Sequence, residues 1–358
     1  MKHKKLPEYL NPQDYKNGRF YALDGLRGLA ILGVIIGHFG SPYNEFFPSQ
    51  PKSPYDFSFG ALGVQLFFMI SGFVILLTAI RGKTAKNFVI SRFSRLYPSY
   101  WVALLVSTFL LLVVGAENHA ITIKDAVVNI TMFQRFLMVP NVDTVYWTLA
   151  TEMQFYILML TYLVLNKGKL NKKFIIGFAI FWSILGFILC NIFIKPTGIP
   201  KMIIWLFLAE HAPLFSFGMI MFFYSYDRKF KWYMPLLMFI AAYNAYIQHN
   251  ITYGVSVFIV TVIFFTVVHF QTCPFLDRGP IYFMGKISYS AYLNHNVMGF
   301  ILIYLLTPYL GAGWINRIVV FAIVVLWASF LYRFVETTIS GRVKNYLLEK
   351  FGAQRKNA

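Results

Sequence analysis

The sequence predicts an all-α integral membrane protein with about ten transmembrane helices and with both termini in the cytoplasm. Of its 358 residues, 58% are hydrophobic and only 13% are charged, and the mean hydropathy is +0.59. A soluble fold cannot bury that much apolar surface, and a disordered chain contains far less of it. The 38 Phe, 23 Tyr and 7 Trp fit aromatic belts at the two surfaces of a membrane.

Each transmembrane element is predicted from an apolar segment of about 20 residues, the length that crosses the hydrocarbon core as a helix. In chain order the ten predicted spans are residues 22–39, 60–80, 99–116, 145–165, 174–194, 202–224, 232–248, 252–270, 287–310 and 317–337. The chain therefore divides into an N-terminal tail (1–21), a transmembrane domain (22–338) and a C-terminal tail (339–358). No cleavable signal peptide is evident in the polar, basic first residues.

The distribution of basic residues predicts the orientation of these spans. The formal net charge is +18, and 24 of the 32 Lys and Arg residues lie in segments on the same predicted side as the two termini. Six lie in the opposite loops, and Arg27 and Arg333 lie within spans. Cytoplasmic loops are enriched in Lys and Arg, so both termini are expected in the cytoplasm and no nucleic-acid partner is expected. Cys190 and Cys273 lie far apart without metal-ligand spacing, so no metal is predicted.

Ionisable residues inside predicted spans are candidates for function, because a charge in the bilayer costs several kcal/mol. Nine are singled out here: Asp24, Arg27, His38, Glu152, Glu210, His211, His295, Arg333 and Glu336. The alternative for each is a hydrogen bond between helices or an end group that reaches the membrane surface.

Arg27 and His38 are eleven residues apart, which places them on one face of a helix about 16 Å from each other along its axis. His38 would lie in the outer half of the first span, as a base that titrates near neutral pH. Glu152 lies about two turns into the fourth span, at a matching depth. We therefore expect Glu152 to orient the His38 imidazole, as a carboxylate does in a catalytic triad.

Arg92 and Arg95 precede the third span in the segment RFSRLYPSYW, and Pro98 is expected in the first turn of that span. Two guanidinium groups at a cytoplasmic surface could clamp phosphate, although ordinary positive-inside residues would look the same. The segment GKISYSAYLNH places Tyr292 and His295 one turn apart at the start of the ninth span. Such a polar stripe either packs on a neighbouring helix or lines a site.

Five motifs in order resemble the membrane acyltransferase-3 family, mainly bacterial proteins that O-acylate carbohydrates. They are LDGLRGLAILGVIIGH, FFMISGFVI, RFSRLYP, WTLATE and SYSAYLNH, and the resemblance covers nearly the whole chain. The family has about ten transmembrane helices, in agreement with the count of spans above. One departure is at Glu336, which is followed by Thr337 where many members have a proline shortly after the glutamate.

The resemblance implies an O-acyltransferase, most simply an acetyl-CoA-dependent O-acetyltransferase of the bacterial inner membrane. It implies His38, Glu152 and Arg27 as catalytic residues, and Arg92, Arg95 and Arg27 as acyl-CoA-binding residues. The implied acceptor is a sugar hydroxyl of a surface glycan such as lipopolysaccharide O-antigen, exopolysaccharide or a lipid-linked repeat. Further pocket residues are expected among Ser71, Tyr292, His295, Glu210 and His211.

Several alternatives stay open on the sequence alone. Ten helices with buried charges also fit a transporter or flippase for a glycan or lipid, which would not consume a thioester. A receptor or scaffold could bind acyl-CoA without turnover. An acyltransferase could also use a peptide, antibiotic or small osmolyte as acceptor. Within the enzyme hypothesis, His38 could act as a base in direct transfer or could itself carry the acyl group.

Overall fold

The computed structural model describes residues 21–82 and 84–352, and all regular secondary structure in this part of the chain is helical. The all-α class is therefore confirmed, whereas residues 1–20 of the predicted N-terminal tail lie outside the described residues. Among the described residues, seven helical stretches are long and apolar enough to cross a membrane, so the chain is an integral membrane protein. They are Tyr21–His38, Ser58–Gly82, Ala85–Val113, Thr144–Leu165, Lys172–Ile192, Ile251–Phe270 and Trp314–Phe351.

The α-helices are numbered here in chain order. They are α1 (Tyr21–His38), α2 (Ser41–Phe46), α3 (Leu62–Gly82), α4 (Ala85–Val113), α5 (Ile123–Asn129), α6 (Trp147–Leu165), α7 (Lys172–Ile192), α8 (Gly198–Leu206), α9 (Ala212–Asp227), α10 (Tyr233–Gln248), α11 (Ile251–Phe270), α12 (Gly279–Asn294), α13 (Val297–Leu310), α14 (Trp314–Leu331) and α15 (Ser340–Phe351). A π-helical stretch, Tyr332–Ile339, joins α14 to α15. The count of ten spans and the side on which the termini lie stay predictions.

The chain divides into two compact units, and several helices pass from one to the other. The first unit comprises Met1–Ala30, Leu62–Phe88 and Tyr156–Tyr282. Its centre is α9, which is buried along almost its whole length and packs closely on α3. At this contact Gly72 of α3 lies against the backbone of Phe215, and Gly218 of α9 lies against the backbone of Met69. A β-carbon on either glycine would collide with a carbonyl oxygen of the facing helix, so both positions need glycine.

The second unit comprises Ile31–Ala61, Val89–Phe155 and Phe283–Ala358. Its most buried helical stretch is the end of α12 with the start of α13, where every residue from 290 to 301 is buried. Polar side chains of neighbouring segments form hydrogen bonds with this stretch. For example, Trp327 of α14 donates its indole N–H to the side-chain oxygen of Asn294 at 3.1 Å.

The boundaries of the third predicted span are corrected by α4, which begins at Ala85 and not near residue 99. Pro98 was expected in a first turn, but it lies inside this helix of 29 residues. Proline removes one backbone hydrogen bond, and membrane helices tolerate this because nearby Ser, Thr and carbonyl groups compensate. Arg92 and Arg95 therefore lie on a helix that continues through the motif RFSRLYP.

The sixth and ninth predicted spans are each broken into two helices. In the sixth, residues 207–211 form turns, Leu208 has a positive φ of 51°, and Pro213 stands in the first turn of α9. In the ninth, α12 ends at Asn294 and α13 begins at Val297. The predicted C-terminal tail begins in the π-helical stretch and continues as α15, as far as it is described.

Candidate active site

Helix α12 brings three of the other motifs to one place in the second unit. The ring of His295 lies against His38 of the first motif, with ring centroids 4.8 Å apart. The hydroxyl groups of Tyr292 and Thr148, from the motif WTLATE, are 2.8 Å apart. Tyr289 donates its hydroxyl to the carbonyl oxygen of Leu96, in the motif RFSRLYP, at 2.9 Å. The motif SYSAYLNH therefore contacts three other motifs of this unit, and one of these contacts is the pairing of His295 with His38.

The two histidines form a hydrogen-bonded pair with a defined arrangement of protons. His38 Nδ1 lies 2.9 Å from the carbonyl oxygen of Val34, and His295 Nδ1 lies 2.8 Å from the carbonyl oxygen of Tyr292. A carbonyl oxygen can only accept, so each Nδ1 must carry the hydrogen in the neutral ring. His295 Nε2 is then an acceptor, and it faces His38 Nδ1 at 3.4 Å.

The consequence of this arrangement is that His38 Nε2 holds a free lone pair when the ring is neutral. His38 is half-buried, whereas His295 is fully buried. If His38 Nε2 takes up a proton, Val34 O and His295 Nε2 both accept from its Nδ1–H. His38 is therefore placed as a base, with His295 oriented to hold the ring and to stabilise the imidazolium.

Asp143 fixes the helix break that contains His295. Its buried carboxylate accepts hydrogen bonds from the Asn296 side chain at 2.8 Å and from the backbone N–H of Val297 at 3.1 Å. It also accepts from the backbone N–H of Val145, just before α6. These bonds satisfy N–H groups that the break would otherwise leave unpaired, and they tie the start of α6 to the turn after His295.

Glu152 is half-buried on α6, one turn beyond Thr148, and its charge is close enough to act on the Tyr292 hydroxyl. The expected role of Glu152 in orienting His38 stays a prediction. The residue that the structure places against His38 Nδ1 is His295, which the sequence assigned to a possible additional pocket. Asp143 had no role in the sequence analysis, since a single Asp before a span looks like an ordinary helix cap.

Glu336 contacts the motif SYSAYLNH from the π-helical stretch. Its carboxylate accepts from the backbone N–H of Ser290 at 3.1 Å and from the Ser290 hydroxyl at 2.5 Å. π-Helical turns are rare and occur mostly where a side chain has a functional or special packing role. The departure from the family pattern after Glu336 therefore lies at a segment that still contacts the motif SYSAYLNH.

The predicted acyl-CoA residues are distributed over both units. Arg92 is half-buried and Arg95 is exposed, both on α4 in the second unit. Arg27 belongs to the first unit, where its guanidinium pairs with Asp24 at 3.4 Å. It lies on α1, the helix that also carries His38. The roles of these three arginines in binding acyl-CoA stay predictions.

Among the remaining pocket candidates of the first unit, Glu210 and His211 are adjacent in sequence but have different neighbours. The Glu210 carboxylate accepts from His249 Nε2 at 2.9 Å, and the His211 ring lies 4.8 Å from the ring of Phe68. Ser71 is buried on α3. Among the described residues, no cluster of three or more His, Cys, Asp or Glu side chains is arranged to hold a metal ion.

Comparison with known proteins agrees with the motifs that contact SYSAYLNH. The model of the acyltransferase-3 family, described as an acyltransferase domain, matches residues 20–333. The chain belongs to the acyltransferase-3 family. No solved structure matches it.

Three relatives show how far the similarity extends. O-acetyltransferase OatA of Staphylococcus aureus strain NCTC 8325 is 27% identical over 88% of this chain and 56% of its own length. A protein of strain COL, named as a candidate O-acetyltransferase, is 27% identical over 90% of this chain and 58% of its own. Nodulation protein 10 of Rhizobium leguminosarum bv. viciae is 31% identical over 29% of each chain. This acyltransferase-3 member thus spans less than two thirds of the staphylococcal relatives.

Proposed function

We propose that the protein is a membrane O-acetyltransferase that moves an acetyl group from cytoplasmic acetyl-CoA to a sugar hydroxyl of a cell-surface glycan. The observation that carries the proposal is the pair of histidines, which leaves the lone pair of His38 Nε2 available in a half-buried position. Family membership supports acyl transfer, and the names of the staphylococcal relatives support acetyl as the group.

In the proposed reaction, His38 Nε2 removes the proton from the acceptor hydroxyl while the hydroxyl oxygen attacks the thioester carbonyl carbon. The tetrahedral intermediate collapses with cleavage of the carbon–sulfur bond. The CoA thiolate leaves and takes the proton from the His38 imidazolium. His295 Nε2 and Val34 O accept from His38 Nδ1–H throughout, so that the ring keeps its orientation.

A route through an acyl-His38 intermediate uses the same atoms in a different order. His38 Nε2 would attack the thioester carbon and release CoA, and the acceptor hydroxyl would then attack the acyl-imidazole. The two routes differ in a measurable way, because only the second allows CoA release before an acceptor binds. Rapid-quench measurement of one equivalent of CoA without acceptor would favour the second route.

On the donor side, we propose that Arg92 and Arg95 bind the phosphates of acetyl-CoA. The nucleotide end is anionic and cannot enter hydrocarbon, and arginine binds phosphate through paired N–H groups. The two residues are three positions apart on one continuous helix and so share a face. Arg27 is proposed to bind acetyl-CoA as well, because it matches the arginine of the first family motif.

The experiment that tests the proposal compares cells that express the wild type, His38→Ala or His269→Ala. His269 is exposed at the end of α11 in the first unit and serves as the matched control. We expect an acetyl-sized mass on the surface glycan with the wild type and the control, and none with His38→Ala. Immunoblots of the membrane fraction confirm that all three proteins are present.

Release of CoA from purified membranes separates the enzyme from a transporter. An O-acetyltransferase consumes acetyl-CoA in a manner that depends on His38, whereas a flippase releases no CoA. Retained glycan acetylation in His38→Ala would contradict the assignment of His38. No acetylation in any sample, with CoA release that depends on His38, would direct the search to a peptide or small-molecule acceptor.

A further inference from the structure

Arg317 is an unusual residue of the second unit because its charge is buried without a counter-ion. Only 3% of its surface is exposed, and none of its three guanidinium nitrogens has a hydrogen-bond acceptor among the described residues. Its guanidinium lies over the face of the Tyr43 ring, 4.9 Å from the ring centroid. A guanidinium removed from water without acceptors destabilises a protein by several kcal/mol, so its position calls for an anion from outside the chain.

Two carboxylates of the same unit, those of Glu117 and Asp143, are committed elsewhere. Glu117 is exposed, and its carboxylate accepts from the side chain and the backbone of Ser49 and from Gln50. The Ser49 hydrogen bonds, chiefly that of its hydroxyl, lower the pKa of Glu117, so that this group is ionised and already satisfied. Asp143 is bound to Asn296 and Val297. Among the described residues, no carboxylate forms an ion pair with Arg317.

A helix terminus adds a second attraction for an anion at this place. Arg317 lies in the first turns of α14, which has 18 residues and no side-chain cap at its N-terminus. The backbone N–H groups of the first turn are therefore available, and the helix dipole favours negative charge there. Long side chains on a helix lean toward its N-terminus, so the guanidinium and these N–H groups lie toward the same end.

Aromatic rings connect Arg317 with His38 inside the same unit. The ring of Phe300 lies 6.5 Å from the ring of His38 and 6.0 Å from the ring of Tyr43, centroid to centroid, and Tyr43 contacts Arg317. At the start of α14, the Trp314 ring stacks on Tyr55 at 4.5 Å and is 57% exposed. An exposed indole face is a good surface for a sugar ring, because apolar C–H faces of sugars pack on aromatic rings.

We propose that Arg317 binds an anionic group of the acceptor glycan, a carboxylate or a phosphate carried on a sugar. The anion accepts from the guanidinium and from the uncapped start of α14, and the sugar ring packs on the exposed face of Trp314. The hydroxyl that reacts then lies on the His38 side of Phe300 and Tyr43. The proposed substrate class is thus an acidic carbohydrate. This assignment rests on the proposed acetyl transfer, whereas the anion site itself does not depend on it.

The binding test uses the full-length protein in dodecyl maltoside, an uncharged detergent, with thermal unfolding as the readout. The probes are sodium glucuronate and sodium phosphate, compared with glucose and with sodium chloride at equal ionic strength. A ligand that binds only the folded state raises the midpoint temperature Tm in proportion to the logarithm of its concentration. We expect glucuronate, phosphate or both to raise the Tm of the wild type, and glucose and chloride not to.

The variants separate an anion site from a structural arginine. Arg317→Met removes the charge and keeps most of the volume, and we expect a Tm at or above that of the wild type without probe, together with loss of the anion response. Lys124→Met removes an exposed positive charge from the same unit and should keep the full response. Arg317→Lys keeps the charge without the paired donors and should show a weaker response.

The outcomes decide between the possible occupants. A response to glucuronate alone assigns a uronic-acid type of acceptor, and a response to phosphate alone assigns a phosphorylated one. A response to phosphatidylglycerol but to neither small anion would overturn the glycan assignment, since the site would then hold a lipid headgroup. No anion response in the wild type, or failure of both Arg317→Met and Arg317→Lys to fold, would show that Arg317 is structural.

Glycan analysis in cells then distinguishes failure of this site from failure of the proposed function. If the protein acetylates an acidic glycan, Arg317→Met should lower the acetyl content about tenfold or more, while Lys124→Met should not change it. Equal glycans from the wild type and His38→Ala would refute the proposed function but would leave the Tm result valid. Full acetylation with Arg317→Met, beside a clear loss with His38→Ala, would refute the acceptor role of Arg317 alone.

Discussion

The imidazole of His295 stands behind that of His38 in the way that a carboxylate stands behind the base of a catalytic triad. A neutral acceptor in that place stabilises an imidazolium less than a carboxylate would, but it avoids a further charge in a fully buried position. His295 is therefore a positioning residue in the proposed reaction. Its effect should appear in the rate of transfer and not in the binding of the donor.

We expect His295→Phe to lower kcat for acyl transfer by roughly tenfold to a hundredfold with little change in the KM for acetyl-CoA, because His38 Nδ1–H loses the side-chain acceptor that it has in addition to the Val34 carbonyl. His295→Gln offers an amide oxygen at a similar reach and should restore part of kcat. CoA release at varied acetyl-CoA concentration measures both constants. Equal losses in the Phe and Gln variants would show that the site needs the shape of His295 and not its acceptor.

The pairing of His38 with His295 could be only partly predicted from sequence. The cost of burying a charge marked both histidines as candidates. Glu152 was expected beside His38 from its matching depth alone, which says nothing about rotation around a helix, and that role stays a prediction. His295 lies in a break between α12 and α13, and Asp143 maintains that break through Asn296 and Val297. Because these contacts join residues about 150 positions apart, no local pattern in the sequence contains them.

The packing of α3 on α9 depends on two glycines that allow the backbones to approach. A β-carbon at Gly72 would collide with the carbonyl oxygen of Phe215, whereas one at Gly177, on α7, would meet no atom within 4 Å. Alanine improves helix propensity by up to about 1 kcal/mol at both positions, so the difference between them isolates the collision. Small residues of this kind are the usual means of close helix contact in membranes.

We expect Gly72→Ala to lower the free energy of unfolding by about 1–3 kcal/mol, because the helices must move apart or shift. Gly177→Ala should leave it unchanged or raise it slightly. Thermal unfolding of the two purified variants in the same detergent makes the comparison. A Tm for Gly72→Ala as high as that of Gly177→Ala would mean that the contact relaxes freely and does not determine the packing of α3 on α9.

The helices show where hydropathy predicts elements well and where it does not. The apolar core of the fourth span matches α6 closely, since an uninterrupted run of apolar residues leaves little choice. Hydropathy missed the start of α4, because residues 85–98 are too polar to be counted in an apolar segment. It also joined α8 to α9 and α12 to α13, because a break of a few residues changes the mean hydropathy very little.

For the molecule as a whole, the number of membrane crossings determines on which side each terminus lies. In the part of the chain that the structure describes, seven helical stretches meet the length and hydropathy of a span, whereas the sequence predicts ten. The difference concerns the segments that contain α9, α10 and the pair α12 and α13. Helices α9 and α10 have 16 residues each, or about 24 Å, which is short of a typical hydrocarbon core of about 30 Å. A crossing by such helices requires a locally thinner bilayer or flanking residues that reach the surface.

The parity of the two counts makes the question decidable. An odd number of crossings places the termini on opposite sides of the membrane, whereas ten places them on the same side. Most Lys and Arg residues lie in the loops that are predicted on the same side of the membrane as the termini, and this favours ten crossings. With a different number, some of these loops would lie on the outer side together with several positive charges.

We therefore expect green fluorescent protein to fluoresce at either terminus and alkaline phosphatase to be inactive there. A phosphatase fused after Lys195, between α7 and α8, should be active. Phosphatase activity at the C-terminus alone would support seven crossings, and it would place the end of α14 and the neighbouring Ser290–Glu336 contact on the outer side.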